Sequence, residues 1–390
     1  MSNLEKKEES FKSDTKISPY LNNYGQTIVG ENIDPKALEL FYKKIKNFLD
    51  SNELNYENQF KNILKNNEIH KNFNYIELYR AIKLENIEQS IKYLEFRNRF
   101  KLASNRIVEL PYPPYLLIEP VSACNLRCPM CFQIDKTFTR KPFMGVMKWD
   151  LFQKIVDEAS KIGTGAITLA SRGEPTMHPQ IGKMLDYLSK KKNIFEVKLN
   201  TNASFLSEKI CHEIYKADLN TIVISADHYE KEKFEILRKN SNFEKIVKNV
   251  KLLFDIRKKY YRNSLTEIRI SGVDYYKNLD REKFKKFWKK ISDNISVSEA
   301  VERWDTYNNS PQNDNLSSCT FLWDRMYVWH DGKCNPCDQD YKSYLSYGNA
   351  NKNTLSDIWN SKELKSLRTK HLEKKRNKII PCDRCGIEFN

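Results

Sequence analysis

The sequence predicts an α/β protein: a parallel sheet of six strand–helix units, preceded by a helical extension and followed by a short cysteine-bearing segment. Three observations carry that prediction. Short apolar runs alternate with helical patterns from residue 115 to about 300, a proline cluster at Pro111-Tyr-Pro-Pro114 ends an all-helical stretch before them, and eight of the nine cysteines gather in two clusters. Alternating strand and helix patterns give parallel strands joined by crossover helices. At this level a doubly wound open sheet and a curved partial barrel both fit.

Taken in order, residues 1–30 are polar without sustained periodicity, which predicts a loosely ordered start. Asp34 and Pro35 read as an N-cap and first helical position, and Leu38, Phe41, Ile45 and Phe48 follow at helical spacing. Ile63 and Leu64, then Tyr75, Leu78, Tyr79 and Ile82, then Ile87, Ile91 and Leu94 continue the helical pattern to about residue 102. This extension, residues 31–110, carries no chemical motif; it reads as a cap on the main domain, with a partner-docking or substrate-gripping module as the sharper alternative. Proline lacks an amide donor and restricts its predecessor, so a domain boundary is expected at 111–114. Strands are then expected near 115–119, 165–170, 195–200, 220–225, 266–271 and 295–301, and helices near 148–162, 177–191, 207–216, 231–259 and 280–292. These units fill a domain at 111–302, followed by a polar linker at 303–318 and a small domain at 319–390.

Composition narrows the class. With 390 residues, 40% hydrophobic and 30% charged, the chain is neither collagen-like, low-complexity nor membrane-embedded. Its longest apolar runs, Tyr115 to Ile118 and Ala166 to Ala170, fall far short of the ~20 residues that span a bilayer. The first sixteen residues mix Lys and Glu without the apolar core of a signal peptide, so a cytoplasmic location and reduced cysteines are expected. A formal charge of +15 is spread along the chain and does not demand an anionic partner. Phe284, Phe287, Trp288 and Ile291 recur at helical spacing among lysines, as in a barrel helix with a solvated outer face.

The first cluster is Cys124-Asn-Leu-Arg-Cys128-Pro-Met-Cys131, a C-x3-C-x2-C loop directly after the first expected strand. Three thiolates this close can converge on one metal centre. A structural zinc site wants four ligands, whereas a cubane held by three cysteines leaves one iron open to a further molecule. A zinc site completed by a distant His or Cys is the alternative.

This loop resembles the hallmark of the radical S-adenosylmethionine (radical SAM) enzymes, and the resemblance continues. Ser171-Arg-Gly173-Glu174-Pro175 after the second strand is similar to the family's Gly-Gly-Glu-type motif, with Arg172 in the place of the first glycine. Asn200-Thr-Asn202-Ala203 after the third strand looks like its Thr-Asn-Gly segment, and Ser225-Ala-Asp227 with Arg238 looks like its ribose- and carboxylate-contacting positions. The resemblance implies a partial (β/α)6 barrel, a 4Fe-4S cluster on Cys124, Cys128 and Cys131, and S-adenosylmethionine held by Gly173, Glu174, Asn202, Ser225, Asp227 and Arg238. Every one of these motifs follows an expected strand, and ligands bind at that end of a parallel sheet.

Five further cysteines lie near the end: Cys319, Cys334, Cys337, Cys382 and Cys385. Pairing the two C-x2-C units gives a zinc-ribbon-like set, although their 44 intervening residues exceed the ~15–20 of a compact ribbon. The segment also resembles the twitch type of the SPASM extension, which implies an auxiliary 4Fe-4S cluster on Cys319, Cys337, Cys382 and Cys385. Cys211 then reads as a core residue, and Cys334 as a packing cysteine or a hydrogen-atom donor near the site. The family implies a 5′-deoxyadenosyl radical, a flavodoxin- or ferredoxin-type electron donor, and a small-molecule or peptide substrate. The expected reaction is a two-electron oxidation of a sugar or aminocyclitol-like alcohol, with peptide modification or epimerisation as alternatives. A zinc-containing nucleic-acid-binding protein would account for the basic helices and the C-x2-C pairs but not for the strand-linked register.

Overall fold

A computed structural model describes residues 35–51, 58–65, 69–84, 86–106, 108–301, 303–311 and 316–387. The loose start expected at 1–30 and the Asp34 cap lie outside the described residues.

Every expected strand forms. They are β1 (Tyr115–Ile118), β2 (Ala166–Leu169), β3 (Glu196–Thr201), β4 (Thr221–Ser225), β5 (Glu267–Asp274) and β6 (Asn294–Glu299), all parallel. Their order across the sheet is their order in the chain, without the reversal that defines a doubly wound sheet. The partial barrel is therefore the architecture, with helices outside and a lumen within.

Alternation along each strand sorts the two faces. Leu116, Ile118, Ile167, Leu169, Leu199, Ile222, Ile224, Ile268 and Ile270 point outward into a core shared with the surrounding helices. The opposite face of the first strands, with Tyr115, Leu117 and Ala166, packs on Phe96 and Phe100 from a helix of the N-terminal extension, Ile87–Ser104. Gly165 exists for that contact, since a Cβ there would stand 2.2 Å from the Phe96 ring. The same helix sends the Tyr93 hydroxyl to Glu196 Oε1 at 3.0 Å, at the start of β3. The extension thus plugs the N-terminal end of the barrel.

The sheet does not end where a separate C-terminal domain was expected to begin. β7 (Met326–Val328) pairs in parallel with β1, placing Tyr327 beside Leu117, and β8 (Lys333–Asn335) and β9 (Gly348–Asn349) continue it antiparallel into nine strands. This pairing covers a β1 edge that would otherwise present unpaired backbone groups.

The single helix expected over 231–259 is two. Lys231–Leu237 stops at Arg238, Asn240 takes a φ of 72°, and the Asn242 side chain accepts Lys245 N at 2.7 Å to begin Phe243–Tyr260. This break delivers Arg238 to the cysteine loop, where Arg127 N donates to Lys239 O at 2.9 Å.

Because Phe96 is buried between the plug and the strands, Phe96→Ala should cost roughly 3–5 kcal/mol. Anaerobic urea unfolding of the two chains, compared at constant slope, measures that loss.

Candidate active site

The C-terminal ends of β1 to β4 converge on the first cysteine loop. That loop is held from beneath by its own backbone: Cys131 N donates to Cys128 O at 3.0 Å, and the Arg127 guanidinium donates to Cys124 O and Leu126 O, both at 2.7 Å. Against it lies the segment after β2. A Cβ on Gly173 would fall 2.1 Å from Val121 O and 2.5 Å from Ala123 O, so only glycine permits this approach. Glu174 N then donates to Ala123 O at 2.9 Å.

The Glu174 side chain is buried and faces the third loop. Its Oε1 accepts the Thr201 hydroxyl at 2.6 Å and Thr176 N at 3.1 Å, while its Oε2 accepts Asn202 N at 2.7 Å. Burial raises its pKa, and these donors oppose the rise. Asn202 Nδ2 donates to Asn125 Oδ1 at 2.9 Å and lies 3.8 Å from Cys124 Sγ. Ser225 closes β4 on the lumen face, in register with Ser271. Asp227 meets Arg238 at 2.6 Å and accepts Val273 N at 2.9 Å. Burial works against the Arg238 charge, but Asp227 and Cys128 outweigh it and hold the guanidinium more firmly protonated. A cavity of about 200 Å³ opens beside this pair, lined by Asp227, His228, Lys233, Val273, Tyr275 and Asn278 among others.

The thiols separate into two sets. Cys124 and Cys128 are pushed up to about 12 by burial, with Cys131 adding to each, and Cys131 is raised by burial against the opposing charges of Arg303 and Arg238. Cys319 is likewise pushed up to about 12, and Cys337 and Cys382 well above their ordinary value, by burial and by one another with Cys385. Among the described residues no three His, Cys, Asp or Glu side chains close tightly enough for a single metal ion, whereas a cubane spreads its thiolates over several irons. Buried thiols of raised pKa, grouped with the Arg238 guanidinium beside one set and Arg376 beside the other, are a donor set an iron–sulfur cluster fits; binding would displace their protons. In the second set His371 Nδ1 accepts Cys319 N at 3.2 Å, which requires the neutral ring that burial and Arg376 enforce by lowering its pKa to about 4.

Cys334 stands apart. It is fully buried in the outer core, paired across strands with Val328, and its pKa is raised by burial with Asp331 and Glu158 nearby. On that face it points into the helix-covered core rather than the lumen. Cys211 is in the same core.

Sequence reading missed what Arg172 does in place of glycine. Its guanidinium grips Glu119 at 2.5 and 2.6 Å, donates to Tyr341 O at 2.8 Å and stacks 4.2 Å over the Trp329 ring. Burial would raise the Glu119 carboxyl, but Arg172 and His330 hold it down at about 2. Gln133 Nε2 donates to both Ser122 O and Arg172 O, at 2.8 and 2.6 Å. The available signal was Glu119, a charge closing an apolar strand. Between the two thiol sets lies the Arg303–Asp338 ion pair, with Asp338 in the field of both Cys131 and Cys337.

Residues 118–287 match the radical SAM superfamily, and residues 319–386 match the SPASM iron–sulfur cluster-binding domain. The chain carries a radical SAM superfamily domain followed by a SPASM domain. GTP 3',8-cyclase of Clostridium botulinum is 28% identical over 171 residues, 43% of this chain and 53% of that relative. This radical SAM chain therefore spans about half the length of the curated relatives it matches first. A tungsten-containing aldehyde ferredoxin oxidoreductase cofactor-modifying protein of Pyrococcus furiosus is 34% identical over 114 residues, 29% of this chain and 30% of that one. Among solved structures, SuiB of Streptococcus suis bound to its precursor peptide SuiA shares the fold at a TM-score of 0.54 and 16% identity, over 87% of this chain and 85% of SuiB. Native-fold likeness extends to anSMEcpe with bound AdoMet, at a TM-score of 0.52 and 18% identity, over 68% and 86% of the two chains. No helix among the described residues is long and apolar enough to cross a membrane.

Two variants test the geometry. Gly173→Ala should fold but lose iron from the first thiol set, read as iron per chain after anaerobic reconstitution. Arg172→Gln leaves the Glu119 charge buried with one partner fewer, a loss of roughly 3–5 kcal/mol at neutral pH. The carboxyl of Glu119 is depressed in the fold, so its stabilisation is complete above its ordinary value of 4.5 and is lost as pH falls toward about 2. Melting curves across that window should show the natural chain converging on the variant.

Proposed function

We propose that this enzyme oxidises its substrate by two electrons, as in alcohol dehydrogenation of a sugar-like compound. One observation carries the reading: seven thiols divide into a set of three at the barrel mouth and a set of four in the C-terminal segment, with Asp338 in the field of both. Cys124, Cys128 and Cys131 would hold a 4Fe-4S cluster with one open iron, and Cys319, Cys337, Cys382 and Cys385 a second, fully ligated one. When bound, the clusters and S-adenosylmethionine would supply the radical chemistry that removes a hydrogen atom from the substrate and an acceptor for the second electron, with the remaining proton released to solvent.

The chain's own residues bind, orient and exclude water. Gly173 lets the second loop reach the cysteine loop, and Glu174 braces Asn202 beside Cys124. Asp227 keeps Arg238 charged for a carboxylate, and the cavity beside it suits the nucleoside end of S-adenosylmethionine, with Ser225 ending β4 just before Asp227. Arg303 and Asp338 fill the space between the thiol sets with a fixed ion pair. Full ligation of the second set favours electron acceptance over direct substrate binding. A flavodoxin- or ferredoxin-type protein is the electron donor this reading requires. Epimerisation finds no support from Cys334, which lies in the outer core.

Anaerobic reconstitution followed by iron, sulfide and zinc analysis tests the reading. About eight irons per chain, falling to about four when Cys124, Cys128 and Cys131 become Ala, is the expected result. About four irons with a zinc that survives that replacement would remove the electron acceptor and defeat the oxidation.

A further inference from the structure

Where the lumen meets its helical plug, the buried charges are unevenly partnered. Ile268 and Ile270 of β5 point outward, which turns Glu267, Arg269 and Ser271 inward; Val197 and Leu199 do the same for Glu196, Lys198 and Asn200 on β3. The carboxylates here are all engaged. Arg97 Nε donates to Glu77 at 2.7 Å, Arg80 and Arg97 each stand 3.5 Å from Glu196, and Glu267 accepts from Asn294 Nδ2 at 3.0 Å and from the Thr221 hydroxyl at 3.2 Å.

Arg269 is not. It is 3% exposed, its Nε is buried without a hydrogen-bond partner, and among the described residues no carboxylate forms an ion pair with it. Register puts Asn200, Val223, Arg269 and Asn294 in one row across the sheet, with Lys198 and Thr221 in the row beneath. Lys198 is buried within the field of Arg269, and burial, with Arg269 adding to it, pushes its ammonium well down although Glu196 opposes. A guanidinium held in low dielectric is penalised unless an anion answers it.

We infer that Arg269, with Lys198 beside it, is the anchor for an anionic oxygen group of the substrate, a carboxylate or a phosphate, inside the barrel lumen. The anchor lies two residues down β5 from Ser271, about 7 Å along the strand from the row that Ser225 shares. A substrate held there keeps its acid toward the plug and its reacting carbon toward the cysteine end. The assignment deepens the proposed function and rests on it for the identity of the ligand as substrate. It also selects among substrates, because a buried guanidinium repels an ammonium: an acidic or phosphorylated alcohol fits, and an aminocyclitol does not.

Calorimetric titration of the reconstituted enzyme with inorganic phosphate and, separately, with succinate tests the anchor and distinguishes the two chemistries. At least one ion should bind the natural chain, and Arg269→Gln should weaken it tenfold or more. In anion-free buffer Arg269→Met should melt above the natural chain, since it removes an unpaired buried charge. Binding of neither ion, undiminished binding by Arg269→Gln, or a lower melting point for Arg269→Met overturns the anchor. Iron content and 5′-deoxyadenosine formation by the natural enzyme, from the same preparation, report on the radical reading alone. Ion binding through Arg269 without them upholds the anchor and defeats that reading.

Discussion

A buried ion pair, Glu119 with Arg172, holds the mouth of the barrel together. Glu119 ends β1 and leads into the cysteine loop; Arg172 precedes the glycine that docks on that loop; and the guanidinium's remaining donor and ring contact belong to Tyr341 and Trp329 of the C-terminal segment. Three distant stretches of chain thus meet at one charge pair that has no water to fall back on. Gly173, Glu174 and Asn202 take their positions from this junction, because each hangs on its neighbour by backbone or carboxylate hydrogen bonds. The geometry of the first thiol set is inherited from it.

Much of this was legible in the sequence. The six barrel strands announced themselves because each puts two or more large aliphatic residues on the outer face, and the motifs after β1 to β4 could be aligned to their ends. Strand order could not be read, since periodicity says which face is apolar and nothing about which neighbour pairs. β7, β8 and β9 are only two or three residues long and carry no period at all. Cys334 and Cys337 share a C-x2-C spacing indistinguishable from a ligand pair, and only the pairing of β7 with β8 reveals that Cys334 faces the helices. The helix break at Arg238 did have a signal: Asn240 suits a left-handed turn, and Asn242 is a good N-cap.

The two ends of the barrel divide the work between rigidity and chemistry. At the closed end, aromatic rings and a web of arginines and glutamates fix the plug to the strand starts. At the open end, loops carry the thiols and the polar groups that would grip a cofactor. Between them the lumen is lined by polar side chains on β3 to β6 and by apolar ones on β1 and β7. A molecule entering from the open end therefore meets one oily wall and one wet wall.

The pairing of β1 with β7 joins Leu117 to Tyr327, residues far apart in the sequence. On a ribosome adding ~5–20 residues per second, that edge of β1 waits on the order of 10–40 s for its partner to be made. During that interval the strand beside the first cysteine loop offers unpaired backbone to any passing chain. The high sequence separation also makes this pairing slow once the chain is complete. Biogenesis, more than equilibrium stability, is where this architecture is exposed to failure: a truncation or stall anywhere before residue 326 leaves β1, an interior strand of the complete sheet, as a raw edge.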